Sequence, residues 1–581
     1  MQKFLLNYAQ LSSKPDQLDS LIDLVIQDDH LTLRGKHIEL VRHAHLIVWS
    51  IGRKLTHEAL ITWAEKALNG QGHLSPQGGV NAVTICVCNL NSGQIIIRTD
   101  PVNYQKIFVL ESEKPSFSTH PNLLVSATDP LNPPLAAVAS YLANGSMINS
   151  ITPVMGVRLL DSASLHTIQD GQINSQKYWQ PVYEQHGHID HVTAGKEMAT
   201  LITHSVDATV KMINSPLVSL SGGYDSSAIL GVLAHTGRKD VHCLSYIHGT
   251  VLPGSDAAVA AQQAAIYGYT HETIDFSCDL LRLIELNASQ GEGLSNFCDE
   301  LYAWNKLTQK YGEVSDRTIL CGDECFGWMD RKLHDWHDVL TTINVNDLKK
   351  FNQLRAILPA EVFEKLCLVY ESELLKVKEK ILEHDDLHAA KDSIYLEHRI
   401  NHVMMNWRKN LVGNFAFVEN PWLSREIIDF VSKLPTKLRL GKRLYRQTVD
   451  QMFPELLMNI PRANFGSPQT NITHQINQAL PVITDWIRRV PSGIDDIIDP
   501  IHQIKLIELA STNSAQKKSS KHHSMKSIIA GGLKNAGLRP VINALRGFSR
   551  PEFAPEPSPH VLALRLLLLR RFYSNTPLPY D

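Results

Sequence analysis

Apolar residues in the first 185 positions come in short runs at strand spacing, and beyond them in longer stretches at helical spacing. Ala82 to Cys88 and Gln94 to Arg98 read as strands, joined by the hairpin-type turn Asn89-Leu-Asn-Ser-Gly93. Leu123 to Ser126 and Val154 to Leu160 add strand-like runs, with a helical segment at Leu135 to Leu142 between them. After Gln185-His-Gly-His188 the period changes. Met198, Leu201, Ile202, Val206, Val210 and Ile213 share one helical face, and Leu217 to Leu220 then forms a short buried strand. Ile229, Val232 and Leu233 mark the next helix, followed by a strand at Val241 to Ile247, a helix at Ala257 to Tyr267 and a strand at Thr318 to Leu320. That alternation predicts a doubly wound parallel α/β domain that binds its ligand at the carboxyl ends of the strands. The boundary falls near residue 186, giving segments 1–186 and 187–581.

The sharpest chemical signal sits between the predicted strand and helix at Leu220-Ser-Gly-Gly-Tyr-Asp-Ser-Ser-Ala-Ile229. A loop opening a helix presents free backbone N–H groups and the positive end of the helix dipole to an anion. Gly222 and Gly223 let the backbone approach phosphate closely, and Ser221, Ser226 and Ser227 add hydroxyl donors. Asp225 is out of place in a purely anionic site but fits a magnesium ion held between carboxylate and phosphates. The lysine of the P-loop pattern GxxxxGK[ST] is absent, which excludes that class of nucleotide site.

Composition narrows the rest. The chain has 581 residues, 43% hydrophobic and 20% charged, enough for two or more domains with ordinary cores. A net charge of −3 gives no global attraction to nucleic acid or membrane. No apolar run of membrane-spanning length occurs, and Met1-Gln-Lys-Phe-Leu-Leu-Asn-Tyr8 lacks the features of a signal peptide, so a cytoplasmic protein is expected. Eight cysteines lie scattered without CxxC pairs, and the 27 histidines include no HExxH, so neither a zinc site nor a disulfide framework is expected. Cys86 and Cys88 alternate within a strand and read as packing. Thr512 to Arg550 carries eight Lys or Arg residues and no Asp or Glu, which suits a surface loop or a docking strip for an acidic peptide or carrier. Val561 to Phe572 reads as a final packed helix.

The SGGYDSS loop resembles the PP-loop of ATP pyrophosphatases, which split ATP into AMP and pyrophosphate to activate a carboxylate or carbonyl. The order of the remaining motifs resembles the asparagine synthetase family, including its β-lactam synthetase and lasso-peptide cyclase branches. Cys321-Gly-Asp-Glu-Cys-Phe-Gly-Trp328 resembles that family's second signature, and Glu419-Asn-Pro-Trp-Leu-Ser424 its "R-x-P-F-L-D" segment. Lys442-Arg-Leu-Tyr-Arg446 and Pro461-Arg-Ala-Asn-Phe-Gly-Ser-Pro468 follow in the family's order. Upstream, Arg98-Thr-Asp-Pro101 and Tyr178-Trp179 resemble pieces of the glutaminase domain. The likeness covers about residues 80 to 468. It implies an N-terminal glutaminase-like, Ntn-type α+β sandwich followed by a PP-loop synthetase domain. Glutamine-dependent members use a cysteine directly after the initiator methionine; here Gln2 stands there, and a carboxamide cannot act as that nucleophile. The first domain is therefore expected to be degenerate.

The resemblance implies ATP and Mg2+ as cofactors. Leu220, Ser221, Gly222, Gly223, Asp225, Ser226, Ser227 and Gly322 would form the nucleotide site, with Ser245 at the adenine edge and Asp225 and Asp323 as metal ligands. Asp323 also suits the cap of a helix opening ahead of Glu324 and Phe326, a role that can coexist with the first. Lys442 is the candidate catalytic cation, although Arg439, Arg443 and Arg446 beside it also suit a solvated basic face. The family's general base, a glutamate, aligns with Phe417, so Glu419, Glu397 or Tyr395 must supply that role, and Glu419 is the nearest. The expected reaction is AMP-forming amide synthesis, with macrolactam closure on a peptide as the leading case; a precursor peptide and its protease would be the partners. Ammonia-dependent amidation of a small acid or sugar acid, and a non-catalytic ATP-binding scaffold, are the alternatives.

Overall fold

In the first half, successive residues of the central strands are buried on both faces and point alternately into two different apolar clusters. The computed structural model describes residues 3–7, 24–27, 32–36, 39–52, 55–73, 83–125, 132–183, 189–211, 213–311, 318–460, 463, 472–516 and 556–579. Among the described residues before 184 there are twelve strands: β1 (Lys3–Asn7), β2 (Leu24–Gln27), β3 (Thr32–Lys36), β4 (Glu39–His43), β5 (Leu46–Gly52), β6 (Val83–Asn89), β7 (Ile95–Arg98), β8 (Phe108–Leu110), β9 (Ser116–Ser118), β10 (Val157–Leu159), β11 (Ser164–Gln169) and β12 (Gln172–Lys177). They form two antiparallel sheets, ordered β10-β8-β9-β1-β3-β2 and β12-β11-β7-β6-β5-β4. Ile47, Trp49, Ile51, Cys86, Cys88, Ile95 and Ile97 on one sheet meet Ile107, Val109 and Phe117 of the other. The intervening residues Val48, Ile85, Val87 and Ile96 turn outward onto Leu60, Trp63 and Ala64 of helix α1 (His57–Lys66). The two cysteines of the Cys-x-Cys run are thus packing residues. Of the expected strand Leu123 to Ser126, the described residues 123–125 form none: Pro121 opens a single 3-10 turn over Pro121–Leu124, where its fixed φ suits a first helical position.

Helix α2 (Leu135–Asn144) leaves the sandwich and joins the core of the second half. Tyr141 donates to Ser295 O at 2.6 Å, and Asn144 to the Tyr370 hydroxyl at 2.8 Å. Two buried lysines cross in opposite directions. Lys106 donates to Asn401 O at 2.8 Å, and Lys409 donates to Thr119 O at 2.7 Å. The expected boundary at 186 lies in residues 184–188, outside the described residues. On either side of it the two halves share one continuous apolar core.

In the second half Asp190 accepts from Val192 N and Thr193 N and caps α3 (His191–Val210). Strands β13 (Leu217–Ser219), β14 (His242–Ile247), β15 (Thr270–Asp275), β16 (Thr318–Leu320) and β17 (Phe417–Glu419) form a parallel sheet in the order β15-β14-β13-β16-β17. Helices α4 (Tyr224–His235) and α5 (Asp256–Ile266) supply the crossovers between β13, β14 and β15. The mixed α/β class and the parallel sheet are as the hydrophobic pattern predicts. The final helix, Pro559–Phe572, packs Leu562, Leu566 and Leu569 inward. Of the basic stretch 512–550, residues 512–516 end the helix Pro500–Gln516, and the rest lies outside the described residues, as do Gln2 and nearly all of Pro461 to Pro468. Among the described residues no helix is long and apolar enough to cross a membrane.

Burial depresses the Lys106 ammonium from its usual 10.5 to about 7, with Lys409 adding repulsion. Between those values the folded chain holds fewer protons than the unfolded chain, so Lys106 makes stability rise with pH across that window. Melting wild type and Lys106→Met from pH 7 to 10 should show the wild type gaining on the variant as pH increases. A pH-independent difference would refute the assignment.

Candidate active site

The strand order reverses between β13 and β16, so the loops leaving their carboxyl ends diverge and open a crevice. One wall is the loop Leu220 to Gly223. Leu220 N donates to Leu244 O at 2.8 Å, Ser221 N to Ser226 Oγ at 3.1 Å, and Gly223 N to Ser221 Oγ at 3.4 Å, so the serines fold the loop upon itself. Gly222 has φ +69°, and a Cβ there would lie 2.7 Å from Val259 Cγ1. Gly223 caps α4 without a side-chain bond, and the first helical bond runs from Ser227 N to Gly223 O at 3.1 Å. The N–H groups of Tyr224, Asp225 and Ser226 precede it and are left for an anion.

The opposite wall is the extended segment after β16. Gly322 packs on the loop so tightly that a Cβ would meet Asp225 and Ser226 N at 3.1 Å. The third component is Lys442, in a left-handed conformation with φ +59° and its N–H bonded to Gly327 O at 3.1 Å. Its ammonium lies 3.0 Å from Asp225 Oδ2 and 2.9 Å from Glu324 Oε1. Burial alone would lower its pKa, but Glu324 and Asp225 outweigh burial and raise it, so the group is a fixed cation. The solvated-face reading of Lys442 therefore does not describe it. Tyr445 stacks on Phe326 at 3.8 Å between centroids, and the Trp422 indole donates to Asp225 O at 3.0 Å, closing the back of the site.

Glu324 is the residue that motif reading passed over. It is buried, accepts from Phe326 N at 2.6 Å, and has its pKa raised by burial despite the neighbouring Lys442. Its adjacency to Asp323 was the available signal, but sequence gives no indication of which of two neighbouring carboxylates faces the loop. Asp323 instead meets Arg408, whose Nε and Nη2 lie 2.6 and 3.0 Å from its two oxygens. No helix starts there, so Asp323 is not a cap.

Other expected contributors are placed differently. Ser227 is fully buried and donates its hydroxyl to Gln263 Oε1 at 2.8 Å, so it braces α4 against α5. Ser245 donates to Leu220 O at 2.6 Å and pairs with His271 Nε2 at 2.8 Å, which makes it a brace for the loop's first residue. Glu419 ends β17 beside β16, near the Tyr104 phenol, whose pKa rises first by burial and then through Glu419. Glu397 is ion-paired with Lys380, and Tyr395 stacks on Trp328 at 5.0 Å. Glu300 is a further carboxyl near Arg408, pushed up to about 7 by burial and Asp299.

The residues fit a magnesium nucleotide in part. Uncapped N–H groups and Lys442 suit phosphate, and Asp225 Oδ1 is buried with no cation on it, only the neutral Tyr445 hydroxyl standing beside the carboxylate, which leaves that oxygen open to a cation.

The asparagine synthase family model matches residues 197–529, more than half the chain. No curated protein matches. Among solved structures, the chain is similar to the NH3-dependent NAD synthetase from Campylobacter jejuni subsp. jejuni in complex with nitrate. The identity is 15%, over 36% of this chain and 93% of that one, with a TM-score of 0.18.

Gly222→Ala should force Val259 to move and strain the left-handed turn, which costs about 1–3 kcal/mol. If the loop carries phosphate, Mg-ATP should raise the wild-type melting point and Gly222→Ala should lose that upshift, with its unliganded melting point falling only slightly. An unchanged upshift would show that the loop does not carry phosphate.

Proposed function

Because the chain belongs to the asparagine synthase family, we propose that it is an ATP-dependent, AMP- and pyrophosphate-forming amide ligase. The observation that carries this reading is the Lys442 ammonium held between Asp225 and Glu324 beside the open N-terminus of α4. A substrate carboxylate would attack the α-phosphorus of ATP, forming an acyl-phosphate bond and breaking the bond to pyrophosphate. Charge growing on the departing pyrophosphate falls on the N–H groups of Tyr224 to Ser226 and on Lys442. Magnesium bound by Asp225 would supply further charge neutralisation there. An amine then attacks the acyl carbon, AMP leaves, and the ammonium proton passes to a base. Lys442 stays protonated and cannot be that base. Glu419 is the family-derived candidate, and Glu300, with a pKa of about 7, is better matched to proton transfer near neutrality.

For the finer reading we favour an amine supplied by the substrate itself, closing a lactam on a peptide. Burial raises the thiol pKa of Cys86, Cys243, Cys298, Cys321 and Cys325, which makes them poor nucleophiles for glutamine hydrolysis. The likeness of residues 1–186 to a glutaminase domain rests on sequence resemblance, and the two-sheet sandwich is compatible with it.

ATP–pyrophosphate exchange with pooled peptides and acids tests the reading. Exchange should appear with a substrate pool, fall about 10²- to 10³-fold in Lys442→Ala, and vanish in Asp225→Ala. Absence of exchange with every pool would favour a scaffold. Product formation that requires added ammonium would replace lactam closure by ammonia-dependent amidation.

A further inference from the structure

Asp225 and Asp323 differ in what already surrounds their carboxylates. Lys442 takes one oxygen of Asp225, and the other, Oδ1, is buried with no cation on it, the neutral Tyr445 hydroxyl being the carboxylate's further neighbour. Both oxygens of Asp323 are engaged by the planar fork of Arg408, at 2.6 and 3.0 Å, in a charge-assisted bidentate pair. The Asn420 amide nitrogen, turned toward Cys321 O, lies 2.9 Å from Asp323 Oδ2 as a third donor. The Asp323 side chain is 3% exposed and that of Arg408 17%, so solvent screens the pair weakly. A magnesium ion needs ligand oxygens at about 2.1 Å in near-octahedral array, and the guanidinium occupies that shell and repels a second cation.

Arg408 is also rigidly placed. It lies in the π-helical turn Trp407–Leu411, next to Lys409, which is anchored on Thr119 O. A π-turn is an uncommon feature that re-aims side chains, frequently at functional sites.

We propose that Arg408 is a resident cation occupying the position at Asp323 where a second divalent ion would sit, so that this chain uses one such ion, held by Asp225. The inference rests on the nucleotide-site reading above and concerns its metal requirement. Arg408 acts through Asp323 as a positioning residue: it neutralises the carboxylate and ties the segment after β16 to the π-turn.

Protein-bound Mn2+ should be counted by equilibrium dialysis and electron paramagnetic resonance, with saturating α,β-methylene-ATP. The wild type is expected to bind one Mn2+ per chain. Arg408→Gln should bind a second, and Arg408→Gln combined with Asp323→Asn should return to one. The double variant also removes the unpaired buried charge, so it guards against misfolding of the single one. Two ions on the wild type would overturn the inference and leave the nucleotide reading intact. A second ion in Arg408→Gln that persists in the double variant would also overturn it. No nucleotide-dependent Mn2+ on any form would overturn the nucleotide reading and this inference with it.

Discussion

The site depends on one half-buried ammonium. Lys442 draws together the helix start at Asp225, the segment after β16 at Glu324 and its own turn at Gly327, three segments far apart in sequence. Without it, two carboxylates would face each other with little water, and removing one partner of such a buried cluster costs on the order of 3–5 kcal/mol. The left-handed backbone of Lys442 is tolerated because both of its ends are fixed, by the N–H bond to Gly327 O and by the side-chain ion pairs. Gly327 makes the approach possible, since a Cβ there would fall 2.0 Å from Arg439 O.

Much of this architecture was legible in the sequence because its signals are local. Strand β13, the glycine-serine loop and α4 follow from hydrophobic period and glycine placement alone, and the parallel sheet follows from the alternation of elements, whereas the strand order that opens a crevice between β13 and β16 does not. Lys442 was found through motif order. What escaped was side-chain direction. Ser227 and Ser245 are of the right type and at the right place in sequence, yet their hydroxyls are used by Gln263 and Leu220 O. Glu324 was missed because adjacent residues in an extended segment point opposite ways, and only the packed fold shows which one faces Lys442. Leu123 failed as a strand because Pro121 sets a helical φ, a local constraint that outweighed the apolar run.

Division of the chain at residue 186 reflects a real change in hydrophobic period, but periodicity reports element type and carries no information on which elements share a core. Helix α2 belongs by sequence to the first half and by packing to the second, where Asn346 donates to Ala143 O and Arg565 to Leu142 O. The buried amines of Lys106 and Lys409 each donate to a carbonyl from the opposite half. Each half thus supplies the acceptor that a buried amine of the other needs inside the fold, which fixes how the two pack.

That rigidity reaches the crevice through two consecutive residues. Arg408 and Lys409 leave the same π-turn in different directions, one to Asp323 beside Gly322, which packs on the glycine-serine loop, and the other to Thr119 in the sandwich. A shift of the sandwich relative to the parallel sheet would drag Lys409, and the turn is too short to absorb the displacement before it reaches Arg408. The carboxylate after β16 is thus positioned by the first half of the chain as much as by the second. On this geometry the sandwich has a structural task that needs no nucleophile of its own: it holds the wall of the crevice against which a bound nucleotide would be pressed.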